Sequence, residues 1–342
     1  MNFASDNWAG ATAAVMAAIA RHNEGFAPAY GNDPVTEAID RRFAEIFETD
    51  VEVHFVATGT AGNALSMAAI ARPGGLVFCS ADAHIHNDEY GATESLTGMK
   101  LVTVPSPTGR MSPELLAATL AGYPEDARAG IAVALTLTNA TECGTVYSPA
   151  ETAALASLAK ARGMAVHLDG ARFANAVAAT GASPAELTWK AGVDLMSFGG
   201  TKNGCLGAEA ILVFAPDKVR DLPILRQRAG HVVSKARFVA AQFEGYFENE
   251  NWLQTAAHAN AMAARLSDGL RKSNMARLAW DSSANEVFPI LPKGALVWLR
   301  EAGAMFHEWP TTGLRSDEDC VRLVTSFATT PDEVDRFLAL LS

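Results

Sequence analysis

The chain has 342 residues, 49% of them apolar, and a formal net charge of −11 at pH 7. That length suits one large domain and one smaller one. The acidic balance excludes nucleic acid and anionic membranes as expected partners, because both require a basic face.

The opening residues, Met1 to Asn7, are polar and lack the basic-then-apolar layout of a secretory leader. An Ala-rich amphipathic helix is expected from about Ala9 to His22, stopping at Gly25 and too short to span a bilayer. The turn-rich Tyr30-Gly31-Asn32-Asp33-Pro34 follows. Asp33 as N-cap and Pro34 in the first turn start a helix to about Glu48. Apolar runs at 51–57, 76–79, 101–104, 131–137, 165–168, 194–198 and 210–214 then read as strands. Helices are expected between them near 61–71, 113–121, 149–162 and 171–180, the third opened by a capping box of Ser148 and Glu151. Short apolar strands alternating with helices predict a mainly parallel sheet covered on both faces. After about Pro216, helices are expected over 217–226, 232–248 and 252–272, strands over 286–291, 296–301, 304–308 and 320–327, and a last helix over 331–340. The expected division is an N-terminal segment 1–15, a large domain 16–245 and a small α+β domain 246–342. Cys79, Cys143, Cys205 and Cys320 form no C-x-x-C pair, which predicts free thiols in a reducing cytoplasm and no metal site.

Lys202 follows a buried-looking strand in Met196-Ser197-Phe198-Gly199-Gly200-Thr201-Lys202. An ammonium is strongly hydrated and rarely sits near a core without a purpose. In His167-Leu168-Asp169-Gly170-Ala171-Arg172, a second strand ends on a carboxylate and an arginine opens the next helix. An amine and a carboxylate at two strand ends are what a pyridoxal 5'-phosphate site needs. The lysine forms the Schiff base, and the aspartate keeps the pyridine nitrogen protonated so that the ring draws electrons. Thr58-Gly59-Thr60-Ala61-Gly62-Asn63 follows the first strand and opens a helix. Its glycines admit a ligand close to the backbone, and a helix N-terminus offers free N–H groups to a phosphate. The segment lacks the Walker A lysine and the full dinucleotide spacing, and an ordinary strand-to-helix turn is the alternative.

With these motifs, and with Ser5-Asp6, Tyr30 to Pro34, Ala83-His84-Ile85, Asp88-Glu89 and Val321-Arg322-Leu323-Val324-Thr325, the chain resembles the threonine aldolase family over nearly its whole length. That family belongs to the fold-type I pyridoxal phosphate enzymes. The form Gly199-Gly200-Thr201-Lys202-Asn203-Gly204 looks most like the low-specificity threonine and phenylserine aldolase branch. The resemblance implies an α/β fold: a large domain with a mainly parallel seven-stranded sheet between helices, and a smaller C-terminal α+β domain. It implies that Lys202 carries the cofactor, Asp169 pairs with the pyridinium, and His84 stacks on the ring. Gly59 and Thr60 hold the phosphate, with Asn63 also at the cofactor. Ser5, Arg172 and Arg322 hold the substrate carboxylate, Arg172 touching the cofactor as well. Arg228 and Lys235 are candidates for a phosphate contact donated across a subunit interface.

Tyr30, His86 and Glu142 are further candidates at the substrate. Some family members have a second histidine in the stretch matching Ala140 to Gly144, where this chain has Glu142. The group that handles the substrate hydroxyl proton is therefore open among His84, Glu89, Glu142 and a bound water. Arg322, amid apolar residues, needs an anion: the substrate carboxylate or a structural Asp or Glu. The implied reaction cleaves the Cα–Cβ bond of a β-hydroxy-α-amino acid, either threonine, allo-threonine or phenylserine, to glycine and an aldehyde. β-Elimination or transamination on the same fold, or a catalytically silent protein that binds pyridoxal phosphate, are the alternatives. The implied assembly is a cytoplasmic homodimer or homotetramer with shared active sites.

Overall fold

The computed structural model describes residues 1–124 and 128–341. Seven strands form the large sheet: β1 (Glu52–Val56), β2 (Gly75–Ser80), β3 (Lys100–Val104), β4 (Ile131–Thr138), β5 (Ala165–Gly170), β6 (Leu195–Gly199) and β7 (Glu209–Val213). Their order is β1-β7-β6-β5-β4-β2-β3. The run from β6 to β3 is parallel, and β7 is antiparallel to both β6 and β1. Only nine residues separate β6 from β7, too few for the crossover that a parallel pair requires. β1, on the far side of β7, consequently points the same way as the parallel set.

Helices α1 (Ala13–Arg21), α2 (Pro34–Phe47), α3 (Gly59–Ala69), α4 (His84–Asn87), α5 (Ala92–Thr97), α6 (Pro113–Ala121), α7 (Pro149–Ala161), α8 (Phe173–Thr180), α9 (Leu222–Arg228) and α10 (Arg237–Phe247) surround this sheet. Asp33 caps α2 by accepting the N–H groups of Val35 and Thr36, and Ser148 and Glu151 close the expected capping box on α7. Ile39, Phe43 and Phe47 recur every fourth residue, so α2 buries one face. That face meets Phe173, Phe198, Phe243 and Phe247 in an aromatic core. α3 lies close on β6 because Gly62 has no side chain: a Cβ there would come within 3.1 Å of Ser197.

The long α11 (Asn251–Lys272) leads to a smaller, antiparallel sheet. It contains β8 (Arg277–Leu278), β9 (Glu286–Val287), β10 (Pro289–Pro292), β11 (His307–Glu308) and β12 (Glu318–Val324), with α12 (Lys293–Glu301) and α13 (Pro331–Ala339) packed on it. Phe3 from the chain start is buried in this second core, its backbone bonded to Met305 and Val324.

Several expectations need correction. The strand expected over 296–301 is the helix α12: Ala295, Leu296 and Leu299 are buried while Val297 and Trp298 face out, a helical period. The helix expected over 232–248 begins only at Arg237, and the one over 217–226 is a short 3-10 turn followed by α9. The strand over 304–308 shrinks to His307–Glu308. The first helix starts at Ala13, where Thr12 accepts the Val15 N–H as N-cap. No helix among the described residues is long and apolar enough to cross a membrane.

Candidate active site

β1 and the parallel strands deliver their C-terminal ends to one side of the sheet, where open α/β sheets bind ligands. The loops there enclose a cavity of about 280 Å³. Gly59, Thr60, Asn63, His84, Glu142, Asp169, Arg172 and Lys202 all line it. These residues come from five separate stretches of sequence.

Asp169, near the end of β5, is 5% exposed. Its Oδ2 accepts from Asn63 Nδ2 at 2.8 Å and its Oδ1 from the Ala171 N–H at 3.0 Å. Two donors from different elements therefore fix the carboxylate plane. Lys202 sits in the 3-10 turn after β6, half-buried. Its Nζ has no hydrogen-bond or ion-pair partner among the described residues. Thr58 caps α3 by accepting the Ala61 N–H, which leaves the amides of the first turn open to an anion.

The His84 ring is held by Glu89, whose Oε1 lies 2.8 Å from Nδ1 and also accepts from Asn63 Nδ2. The hydrogen bond to Glu89 raises the His84 pKa, while burial raises that of Glu89. Glu142 Oε1 accepts from the His84 N–H at 2.7 Å and from Thr138 Oγ1 at 3.1 Å. Its Oε2 is buried without a partner. Burial first, and then the Asp169 charge, pushes the Glu142 carboxyl up to about 7. On β5, His167 bonds Thr136 and Ser197 through its two ring nitrogens, and burial pushes it down to about 4, so it is neutral.

Two arginines converge from the two domains. Arg172 makes a bidentate pair with Asp6, Nε–Oδ2 at 2.7 Å and Nη2–Oδ1 at 3.1 Å. Its Nη2 also lies 3.5 Å from Glu286 Oε1. Arg322 reaches the same Glu286 oxygen from β12 at 3.9 Å and stacks on Trp309. Burial works against the charge of Asp6, but the Arg172 guanidinium overrides it and holds the carboxyl below its usual value. Glu286 is fully buried with no hydrogen bond on either oxygen, and burial raises its pKa.

The remaining candidates stand apart from the cavity of the single chain. Ser5 Oγ accepts the Asn7 N–H as the cap of a short turn. Tyr30 is 60% exposed and borders a different cavity, with Asp40, Arg226 and His231. His86, Arg228 and Lys235 are exposed. Asp6, Glu209 and Glu286 were not singled out as site residues from sequence. The signal for the two glutamates was available: each opens a buried strand, and a carboxylate there needs a partner, as Arg322 does.

Residues 2–290 match the family model described as beta-eliminating lyase, and the chain belongs to that family. It is 41% identical over 306 residues to a Pseudomonas aeruginosa protein named low specificity L-threonine aldolase, covering 89% of this chain and 88% of that one. A Pseudomonas sp. protein of the same name is 40% identical over 312 residues, 91% and 90% of the two chains. Among solved structures, a threonine aldolase from Leishmania major matches with a TM-score of 0.93 at 29% identity, covering 99% of this chain and 98% of that one. The resemblance carried by the motifs and the α/β architecture expected from it both hold.

Proposed function

We propose that the chain is a pyridoxal 5'-phosphate-dependent aldehyde-lyase that cleaves L-threonine, allo-threonine or phenylserine at Cα–Cβ, yielding glycine and an aldehyde. One observation carries the reading: an unpartnered lysine amine and a doubly anchored aspartate line one cavity beside an open helix N-terminus. The relatives named L-threonine aldolase support the same activity. The residues present fit the cofactor. Lys202 Nζ is free, Asp169 keeps lone pairs beyond its two bonds, and a Cβ on Gly59 would touch nothing closer than Glu209 at 4.0 Å.

Bound there, pyridoxal phosphate supplies an aldehyde for the lysine and a ring that takes up the electrons of the breaking bond. Lys202 Nζ anchors it, and the Asp169 carboxylate holds a proton on the ring nitrogen. The α3 amides at Gly59 and Thr60 receive the phosphate. His84, its ring set by Glu89, would pack against the cofactor. Arg322 and Arg172, gathered by Glu286, are the cations for the substrate carboxylate, with Arg172 oriented by its bidentate pair to Asp6. Fixing that carboxylate would fix how the substrate is presented and so select which bond at Cα breaks. Glu142 Oε2, buried and unpartnered, is the group we assign to take the β-hydroxyl proton. The division at residue 245 and a cytoplasmic homodimer or homotetramer, with Arg228 and Lys235 offered to a partner subunit, belong to the same reading.

Product analysis tests it. Incubation with threonine stereoisomers and phenylserine should release glycine and the matching aldehyde in equal amounts. Ammonia with a keto acid would instead favour β-elimination, the chemistry in the family's description.

A further inference from the structure

The phosphate end of the cavity contains an acid. Glu209 opens β7, facing Gly199 of β6 on one side and Val56 of β1 on the other, and is 8% exposed. Its Oε1 accepts the Thr201 N–H at 3.2 Å. Its Oε2 lies 4.0 Å from where a Cβ on Gly59 would stand. One carboxyl oxygen thus looks across at the α3 N-terminus, where a phosphate would meet backbone N–H groups. The lysine and arginine lining the cavity are Lys202, which anchors the aldehyde, and Arg172, paired with Asp6 and assigned to the substrate carboxylate. An ionised Glu209 would therefore face a phosphate dianion with no cation of the same chain between them, since the exposed Arg228 and Lys235 are offered only to a partner's site, and like charges at close range suppress ionisation. A neutral carboxyl is an O–H donor and reverses the interaction.

Burial already pushes Glu209 up to about 7. The titratable groups facing it are Lys202 and Cys205 from the loop after β6, Asp169 from β5 and Tyr246 from α10, while α3 contributes none. Burial raises the Cys205 thiol and the Tyr246 phenol well above their usual values, so both stay neutral.

We infer that Glu209 serves the cofactor phosphate as a neutral acid: on loading, it takes one proton from solvent and donates it in a hydrogen bond to a phosphate oxygen. The inference rests on the pyridoxal phosphate reading above.

The test is to titrate the apoprotein, wild type and Glu209→Gln, with pyridoxal 5'-phosphate and with pyridoxal, from pH 6 to 9. The readouts are the visible band and, by calorimetry in buffers of different ionisation heat, the protons taken up. Gln keeps the shape and an N–H donor but does not titrate. Relative to the variant, the wild-type Kd for the phosphorylated ligand should rise about tenfold per pH unit above pH 7. The wild type should also take up about one proton more at pH 8.5, and pyridoxal should bind alike to both. Parallel pH curves with equal proton uptake would overturn the inference. So would an equal effect on pyridoxal, which would locate the action of Glu209 at Lys202. Should the variant not fold, the wild-type proton count decides: one more proton with the phosphorylated ligand than with pyridoxal supports the inference, and no difference overturns it. A wild type that develops no visible band would overturn the cofactor reading and this inference together.

Discussion

Asp169 is held by Asn63 Nδ2 and the Ala171 N–H before any ligand arrives, so its carboxylate is preorganised. Asp169→Asn keeps the shape and removes the charge. Steady-state kinetics should show kcat lower by about 10²–10⁴, on the scale of losing a key electrostatic partner; near-normal turnover would contradict the pyridinium assignment. Glu142 acts as a base only when ionised, and burial sets its carboxyl at about 7. Activity should therefore fall as pH drops below about 7, and Glu142→Gln should lower kcat and flatten that acid limb. An unchanged limb would transfer the role to another group. Lys202, Asp169, Gly59 and Thr60 were legible because each lies at or just beyond a strand end, a position visible in hydrophobic patterning, and Asn63 because it belongs to the glycine-rich motif that opens α3. Glu209 and Glu286 carry a weaker signal, because a residue opening a short apolar run reads as its edge. Their burial depends on strands distant in sequence.

Caps and periodicity made the early elements readable. Asp33 with Pro34 and Ser148 with Glu151 state helix starts in local chemistry alone. The small sheet was harder, because four apolar residues followed by Arg300 and Glu301 fit strand and helix alike. That ambiguity made α12 read as a strand, although its burial at 295, 296 and 299 is helical. Crossing distance between helices is likewise a tertiary property. α10 approaches α1 so closely that a Cβ on Gly245 would lie 2.5 Å from the Ala14 carbonyl oxygen and 2.7 Å from Val15 Cα. Neither backbone atom can rotate away. Gly245→Ala should cost about 1–3 kcal/mol in denaturant unfolding, the scale of overpacking. A stabilised variant, as helix propensity alone would give, would contradict the close crossing.

At the scale of the whole molecule, two cores are joined by the chain start. Phe3 lies in the smaller one, and three residues later Asp6 reaches Arg172 of the larger. The arginine pair of the proposed carboxylate clamp spans the same junction, so clamp geometry depends on how the domains meet. Exposed Arg228 and Lys235 have a role in this account only if a second copy receives them, something no single-chain pattern encodes. The central claim is that the free amine at 202 is the covalent anchor of the cofactor. Borohydride reduction of the protein loaded with pyridoxal phosphate, followed by peptide mass mapping, tests it most directly. The account predicts one modified residue, Lys202, and a Lys202→Ala variant with neither visible band nor label. A label on another lysine, or a variant whose colour survives, would contradict it.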